Sequence, residues 1–142
     1  MKAYFGLGCF WQPDEQFSRL EGVSSTRAGY AGGTKDKPTY TDLGDHTETV
    51  EVSYDPDKIS YEDLLAKFWE WHDPTVPQKT QYQSAIFPVD EPQRQAAEAS
   101  LAGVQEKTSR PVTTRIQGIH RFWEAEDYHQ KYLRKCGLAD TA

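Results

Sequence analysis

Cysteine, methionine, basic charge and long apolar runs are all scarce in this chain, and each scarcity removes a class of protein. Two residues of 142 are cysteine, Cys9 and Cys136. That is too few for a disulfide scaffold, and in a reducing compartment an isolated pair points to redox or nucleophilic chemistry instead. Met1 is the single methionine. Sixteen basic residues against 22 acidic ones leave a formal net charge of −6, which disfavours a surface for nucleic acid or anionic membrane. Small molecules or other proteins are the expected partners. No run of about 18 apolar residues and no basic-then-apolar leader is visible, so neither a membrane span nor a signal peptide is expected. A cytoplasmic location is the default. His46, His72, His120 and His129 lack the spacing to one another or to the cysteines that would suggest zinc, so they read as structural, and no cofactor or metal is expected. Repeats and low-complexity tracts are also missing, and the length suits one domain spanning residues 1–142.

What is present begins with Cys9, in Gly8-Cys9-Phe10-Trp11. The apolar run Lys2 to Leu7 reads as a strand, and Pro13-Asp14-Glu15 opens a helix running to about Leu20. Cys9 therefore falls at a strand-to-helix junction. There, first-turn N–H groups and the helix dipole favour thiolate over thiol, which makes Cys9 a nucleophile candidate beside an aromatic wall. Val23 to Tyr30 reads as a second strand leading into the loop Gly29-Tyr30-Ala31-Gly32-Gly33. Glu48 to Tyr54 alternates with period two, the signature of a half-buried strand, with Glu48 on the inward parity of Val50, Val52 and Tyr54.

The second half is more helical. Ser60 and Asp63 form a capping pattern before a core helix that stops at His72-Asp73-Pro74. Ser84 to Val89 reads as a short strand, and Asp90 and Pro92 begin a helix with Ala96, Ala97, Leu101 and Val104 at helical spacing. Pro111 to Gln117 reads as a further strand. Trp123 to Leu133 reads as a C-terminal helix whose acids Glu124, Glu126 and Asp127 form its solvated opening, with Cys136 and Gly137 beyond. This order implies an α+β sandwich, a mixed or antiparallel sheet covered by helices.

A set of motifs runs along the chain in order: Gly8-Cys9-Phe10-Trp11, Gly22-Val23, Gly29-Tyr30-Ala31-Gly32-Gly33, Pro38-Thr39-Tyr40, His46-Thr47-Glu48, Tyr54-Asp55-Pro56, His72-Asp73-Pro74-Thr75, Thr80-Gln81-Tyr82 and Glu126-Asp127-Tyr128-His129-Gln130. Together they resemble the A-type peptide methionine sulfoxide reductases. The resemblance implies a ferredoxin-like fold with long active-site loops. It also implies reduction of the S epimer of methionine sulfoxide, free or in proteins, with thioredoxin or a similar thiol restoring the enzyme.

Such a reaction needs a nucleophile for sulfur, a proton donor for oxygen and a pocket for the S-methyl group. Cys9 fits the first role and would become a sulfenic acid. Glu48 fits the second, since desolvation at an inward strand position keeps a carboxyl group neutral. By resemblance, Tyr40 and Tyr82 bind the oxygen, and Phe10 and Trp11 form the methyl pocket. Cys136, the other cysteine, is the candidate to resolve the sulfenic acid, the alternative being direct attack by the external reductant.

Three departures from the family pattern stand out. Only Val76-Pro77-Gln78-Lys79 separate His72-Asp73-Pro74-Thr75 from Thr80-Gln81-Tyr82, where the family usually carries a longer segment bringing in an aspartate. Gln12 stands where glycine is usual, and the loop before His46 is shorter too. The residues therefore leave two readings open: a reductase, or a weak or inactive module that binds oxidised methionine in a partner. A peroxide reductase or thioltransferase would need a Cys-x-x-Cys or proline-flanked cysteine that is missing.

Overall fold

Thr47–Tyr54, the run with the clearest alternation, forms β3, an inner strand of a six-stranded sheet in the computed structural model, which describes residues 1–130. β1 (Lys2–Leu7) lies antiparallel on one side of it, with Phe5 opposite Val50. β2 (Val23–Ala31) lies antiparallel on the other, with Tyr30 opposite Glu48. β4 (Ser84–Ile86) pairs antiparallel with β1, β5 (Arg115–Ile116) parallel with β4, and β6 (Trp123–Glu124) antiparallel with β2. The spatial order is β5-β4-β1-β3-β2-β6. α1 (Trp11–Ser18) links β1 to β2, α2 (Tyr61–Glu70) links β3 to β4, and α3 (Glu91–Glu106) links β4 to β5. The four central strands with α1 and α2 make the split βαβ arrangement of ferredoxin-like folds, so the class is α+β with a mixed sheet.

The three helices share one face of that sheet. Ala3, Phe5, Val50, Val52, Tyr54 and Ile86 from the strands meet Phe17 of α1, Leu64, Leu65 and Phe68 of α2, and Ala97 of α3. Phe5 stacks on Phe17 at 5.3 Å between centroids and sits 5.4 Å from Phe68. Each large apolar side chain buried here contributes about 1.5–3 kcal/mol. The start of α2 is fixed by a full capping box, Ser60 accepting from Asp63 N–H and Asp63 from Ser60 N–H. Asp90 likewise caps α3 by accepting from Gln93 N–H at 3.0 Å.

The opposite face differs from the expected half-buried sheet. Thr49 and Glu51, on the outward parity of β3, are as buried as Val50 and Val52. The reason is the segment after α3, which crosses that face and packs Ile119 and Phe122 against Tyr4, Ala31, Ala85 and Phe87. Gly29 permits the crossing: a Cβ there would lie 2.3 Å from the Phe122 ring and 2.4 Å from the Trp123 carbonyl oxygen. Glu51 is compensated by bonds from Arg27 Nε at 2.7 Å and Tyr4 Oη at 2.8 Å.

The helix expected over Trp123 to Leu133 does not form across residues 123–130, and residues 131–133 lie outside the described range. Trp123 and Glu124 complete the sheet edge as β6, and only a 3-10 turn, Asp127–His129, follows. Unpaired edge groups of β2 decide this. Ala28 N–H donates to Gln130 Oε1 at 2.7 Å, and Gln130 Nε2 donates to the Ala28 carbonyl at 2.7 Å, so the Gln130 amide replaces a strand neighbour. Strands β4 and β5 are also shorter than the apolar runs suggested, at Ser84–Ile86 and Arg115–Ile116.

Candidate active site

Gly8, with φ +95, turns the chain between β1 and α1 in the left-handed region that favours glycine. The turn leaves Cys9 exposed and buries Phe10, the N-cap of α1, to 1%. Phe10 has no side-chain oxygen to cap the helix. Its own N–H instead donates to Glu48 Oε1 at 3.1 Å, tying the helix start to the first turn of β3. Glu48 is fully buried, on the inward parity expected of it.

The next loop brings in the second partner of Glu48. Thr47 Oγ1 donates to the Thr80 carbonyl at 2.8 Å and accepts from Gln83 Nε2 at 2.9 Å, which clamps the 3-10 turn Thr80–Tyr82 against β3. Gln81 Nε2 then donates to Glu48 Oε2 at 2.6 Å. Burial pushes the Glu48 carboxyl above the ordinary carboxylate value, opposed by the Gln81 and Phe10 donors and by the Lys79 charge. A carboxyl raised in this way can stay neutral long enough to act as an acid.

Cys9 departs from the expected thiolate. Desolvation by the surrounding protein pushes its pKa up, the Trp11 N–H pulls it back, and the nearby Glu48 charge raises it again. The helix-start N–H is therefore present, but it is outweighed.

Tyr40 and Tyr82 complete the rim. Their hydroxyls are linked, and that hydrogen bond, with burial second, pushes Tyr40 up to about 12. The Tyr40 ring lies 6.5 Å from both Phe10 and Trp11, nearly parallel to Trp11 at 12°. All six expected site residues in the described range thus converge at one end of the sheet. Cys136 lies outside the described residues.

Three further residues join the site. Gln81 belongs to the Thr80-Gln81-Tyr82 motif, where the tyrosine drew the attention. Glu126, expected on a solvated helix face, accepts from Tyr30 Oη at 2.9 Å and from Tyr40 N–H at 3.2 Å, so it holds the Tyr40 loop in place. His129, 1% exposed, accepts from Trp11 Nε1 at 2.9 Å through Nδ1, and its ring lies 4.4 Å from Tyr40 and 5.2 Å from Phe10. The signal for both was their shared motif, Glu126 to Gln130. The other histidines sit away from this cage. His46 bridges Gly33 N–H and the Lys35 carbonyl, His72 bridges the Phe68 carbonyl and Ser84, and His120 is exposed. Among the described residues no group of His, Cys, Asp and Glu could hold a metal ion.

A cysteine beside a buried, raised carboxyl and an aromatic cage is what the sequence resemblance implied, and comparison with known proteins decides the family. The model of the peptide methionine sulfoxide reductase family matches residues 1–139. The chain belongs to that family. Peptide methionine sulfoxide reductase MsrA of Geobacter metallireducens is 46% identical over 148 residues, covering 96% of this chain and 91% of the relative. Methionine sulfoxide reductase A of Corynebacterium diphtheriae superposes with a TM-score of 0.85 at 35% identity, covering 96% of this chain and 75% of that one. Mxr1 of Saccharomyces cerevisiae, solved in complex with Trx2, shares the fold at a TM-score of 0.67 and 22% identity, covering 93% of this chain and 84% of that one. Membership makes the chain an oxidoreductase. No helix among its described residues is long and apolar enough to cross a membrane.

Proposed function

We propose that this protein reduces the S epimer of methionine sulfoxide, free or in proteins, with Cys9 as nucleophile and Glu48 as acid. The observation that carries the reading is the fully buried Glu48 carboxyl, raised by desolvation, at the N-terminus of the helix that follows Cys9.

The two groups work as a one-proton pair. In the resting protein that proton sits on the Cys9 thiol, because a thiol starts far above a carboxyl and partial desolvation by its surroundings raises it further. Moving it to Glu48 gives the thiolate and neutral acid that the reaction needs. A sulfoxide oxygen favours this arrangement by accepting from Glu48 and from the linked Tyr40 and Tyr82 hydroxyls, while the S-methyl group fills the cage of Phe10 and Trp11. The thiolate then attacks sulfur as Glu48 protonates the oxygen. The bond so formed between Cys9 and the substrate sulfur, and the substrate S–O bond, then break as the hydroxyl passes to the Cys9 sulfur, leaving methionine, a Cys9 sulfenic acid and a Glu48 carboxylate. Two electrons go to the substrate sulfur. A second thiol condenses with the sulfenic acid, releasing water and leaving a disulfide that an external dithiol opens. Thioredoxin fits that role, and the Trx2 complex of the yeast relative supports it. The reduced thiols required suit a reducing compartment such as the cytoplasm.

The missing aspartate segment does not remove this chemistry, since Gln81 reaches Glu48 directly. Turnover of the S and R epimers of N-acetyl methionine sulfoxide with dithiothreitol tests the assignment. Consumption of the S epimer alone is the expected result. Binding without turnover would make the chain a recognition module instead.

A further inference from the structure

Two cavities border the turn that carries Cys9, and together they form a depression beside the reacting residues. On the Trp11 side of Cys9 lies a cavity of about 340 Å³ bounded by Leu7, Cys9, Trp11, Gln12, Gln16 and Trp71. On the Tyr82 side lies a second, of about 170 Å³, bounded by Gly8, His72, Gln78 and Tyr82 among others. Leu7 lines both, Cys9 lines the larger and its neighbour Gly8 the smaller, so both spaces adjoin the Cys9 turn.

The larger cavity has a definite chemistry. Two tryptophans, a leucine and Pro13 form its walls, Gln12 and Gln16 supply amides, and none of its lining residues carries a charge. An apolar side chain gains there by burial, whereas a charged one loses water without meeting a counter-charge. The two amides suit the peptide groups of an extended chain, which always brings a donor and an acceptor with each side chain. Gln12 belongs to this wall, at the position where glycine is usual.

We propose that this depression is a binding groove for the polypeptide on either side of methionine sulfoxide, with the Trp11–Trp71 cavity selecting a large apolar side chain next to the oxidised residue. The proposal rests on the reductase reading above. It names oxidised methionines with a large apolar neighbour in the chain as the preferred substrates.

The test uses acetyl-X-MetO-X-amide peptides with X as Phe, Leu, Ser or Asp, the S epimer at sulfur, and dithiothreitol as reductant so that no protein reductant docks. For the parent protein kcat/KM with Phe or Leu is expected to exceed that with Ser by about tenfold, the size of partial burial of one large side chain, with Asp lowest. Gln16→Trp fills the cavity and should bring the four peptides within about twofold of one another. Turnover of N-acetyl methionine sulfoxide methylamide, which has no flanking side chains, should stay unchanged. Gln12→Lys places a cation on the exposed rim and should lift the Asp peptide above the Ser peptide. Equal rates across the series in the parent, or an order unaltered by both substitutions, overturns the proposal. So does a Gln16→Trp defect confined to turnover with thioredoxin, which would make the cavity a reductant dock. Titration of the Cys9→Ser protein with the same peptides reads the order without turnover. If the methylamide is not reduced, the reductase reading fails while the affinities still decide the groove.

Discussion

Gln81 holds Glu48: its side-chain amide donates to Oε2 at 2.6 Å, on the opposite oxygen from the Phe10 N–H at 3.1 Å. Both donors favour the carboxylate, while complete burial favours the neutral acid and is the larger influence. The acid strength of Glu48 is therefore a balance that Gln81 adjusts. Gln81→Leu removes a donor to the charged form and should raise the Glu48 pKa further. In the one-proton scheme, activity falls at low pH when Glu48 is protonated while Cys9 is still a thiol. The acid limb of kcat/KM should consequently move to higher pH in Gln81→Leu, and a shift to lower pH would contradict the assigned balance.

Cys9→Ser should abolish turnover while leaving the fold intact. Cys9 is exposed, so its loss opens no cavity in the core. A hydroxyl is far less ionised than a thiol and does not take the sulfoxide oxygen. Circular dichroism should match the parent, and any activity above a trace in the variant would remove Cys9 from the mechanism.

Glu48→Gln should cost on the order of 10²-fold or more in rate, the usual scale for loss of a general acid. Its amide oxygen can still accept from Phe10 N–H, and its NH₂ can donate to a flipped Gln81, so folding should survive. Glu48→Ala leaves both donors unpaired in a buried site and should be worse in rate and stability. The acid limb of the pH profile should disappear in Glu48→Gln. Stability supplies an independent reading. A carboxyl whose folded pKa is raised contributes stability that is complete below its unfolded pKa and is lost as pH rises through the folded one. Thermal melts should accordingly show the amide variant gaining on the parent as pH rises from 4 toward 7.

Much of this site was legible in the chain because it is local. Cys9, Phe10 and Trp11 are consecutive, and the inward position of Glu48 follows from strand parity alone. The capping box at Ser60 and Asp63 is local as well. Hidden from view were the features made by distant segments. The outward face of β3 looked solvated because nothing in Glu48 to Tyr54 says that Phe122 will cover Tyr4. The acids after Trp123 looked like a helix start because helix propensity is a property of neighbours. Their actual fate is set by the free edge of β2 and by Tyr30 and Tyr40, about 85 to 100 positions away in the chain, through contacts of Glu126 and Gln130. The Cys9 thiol divides in the same way, since the helix-start N–H that lowers its pKa is local and the desolvation that raises it is tertiary.

Regeneration can be tested on Cys136. After one turnover a second thiol within reach resolves a sulfenic acid faster than a free reductant does. Apart from Cys9, Cys136 is the single cysteine in the sequence. One equivalent of substrate without reductant should then give a mass loss of two protons and a Cys9–Cys136 crosslinked peptide. A persistent, dimedone-reactive Cys9 would show that the external reductant attacks the sulfenic acid directly.

His129 fixes the wall of the methyl cage, and its role is separable from the chemistry. Trp11 Nε1–H donates to Nδ1, which places the imidazole proton on Nε2, a buried atom with no partner. Desolvation holds the ring's pKa below the ordinary value, opposed by the Glu126 charge, so the neutral acceptor form persists. His129→Phe keeps the ring contacts to Phe10 and Tyr40 but removes the Nδ1 acceptor of Trp11 Nε1–H. A buried hydrogen bond of this kind is worth about 1 kcal/mol, so KM for N-acetyl methionine sulfoxide should rise roughly fivefold as Trp11 loses its fixed position. The kcat value should change less, because the ring acts through its contacts to Trp11, Phe10 and Tyr40. Stability should move the other way in acid: a histidine buried neutral must charge as pH falls below its unfolded value of 6.5, which destabilises the parent but not the phenylalanine variant. Melts at pH 5 and pH 8 should therefore show the variant's deficit shrinking at the lower pH. A loss of kcat with KM unchanged would instead place His129 in the proton transfer itself.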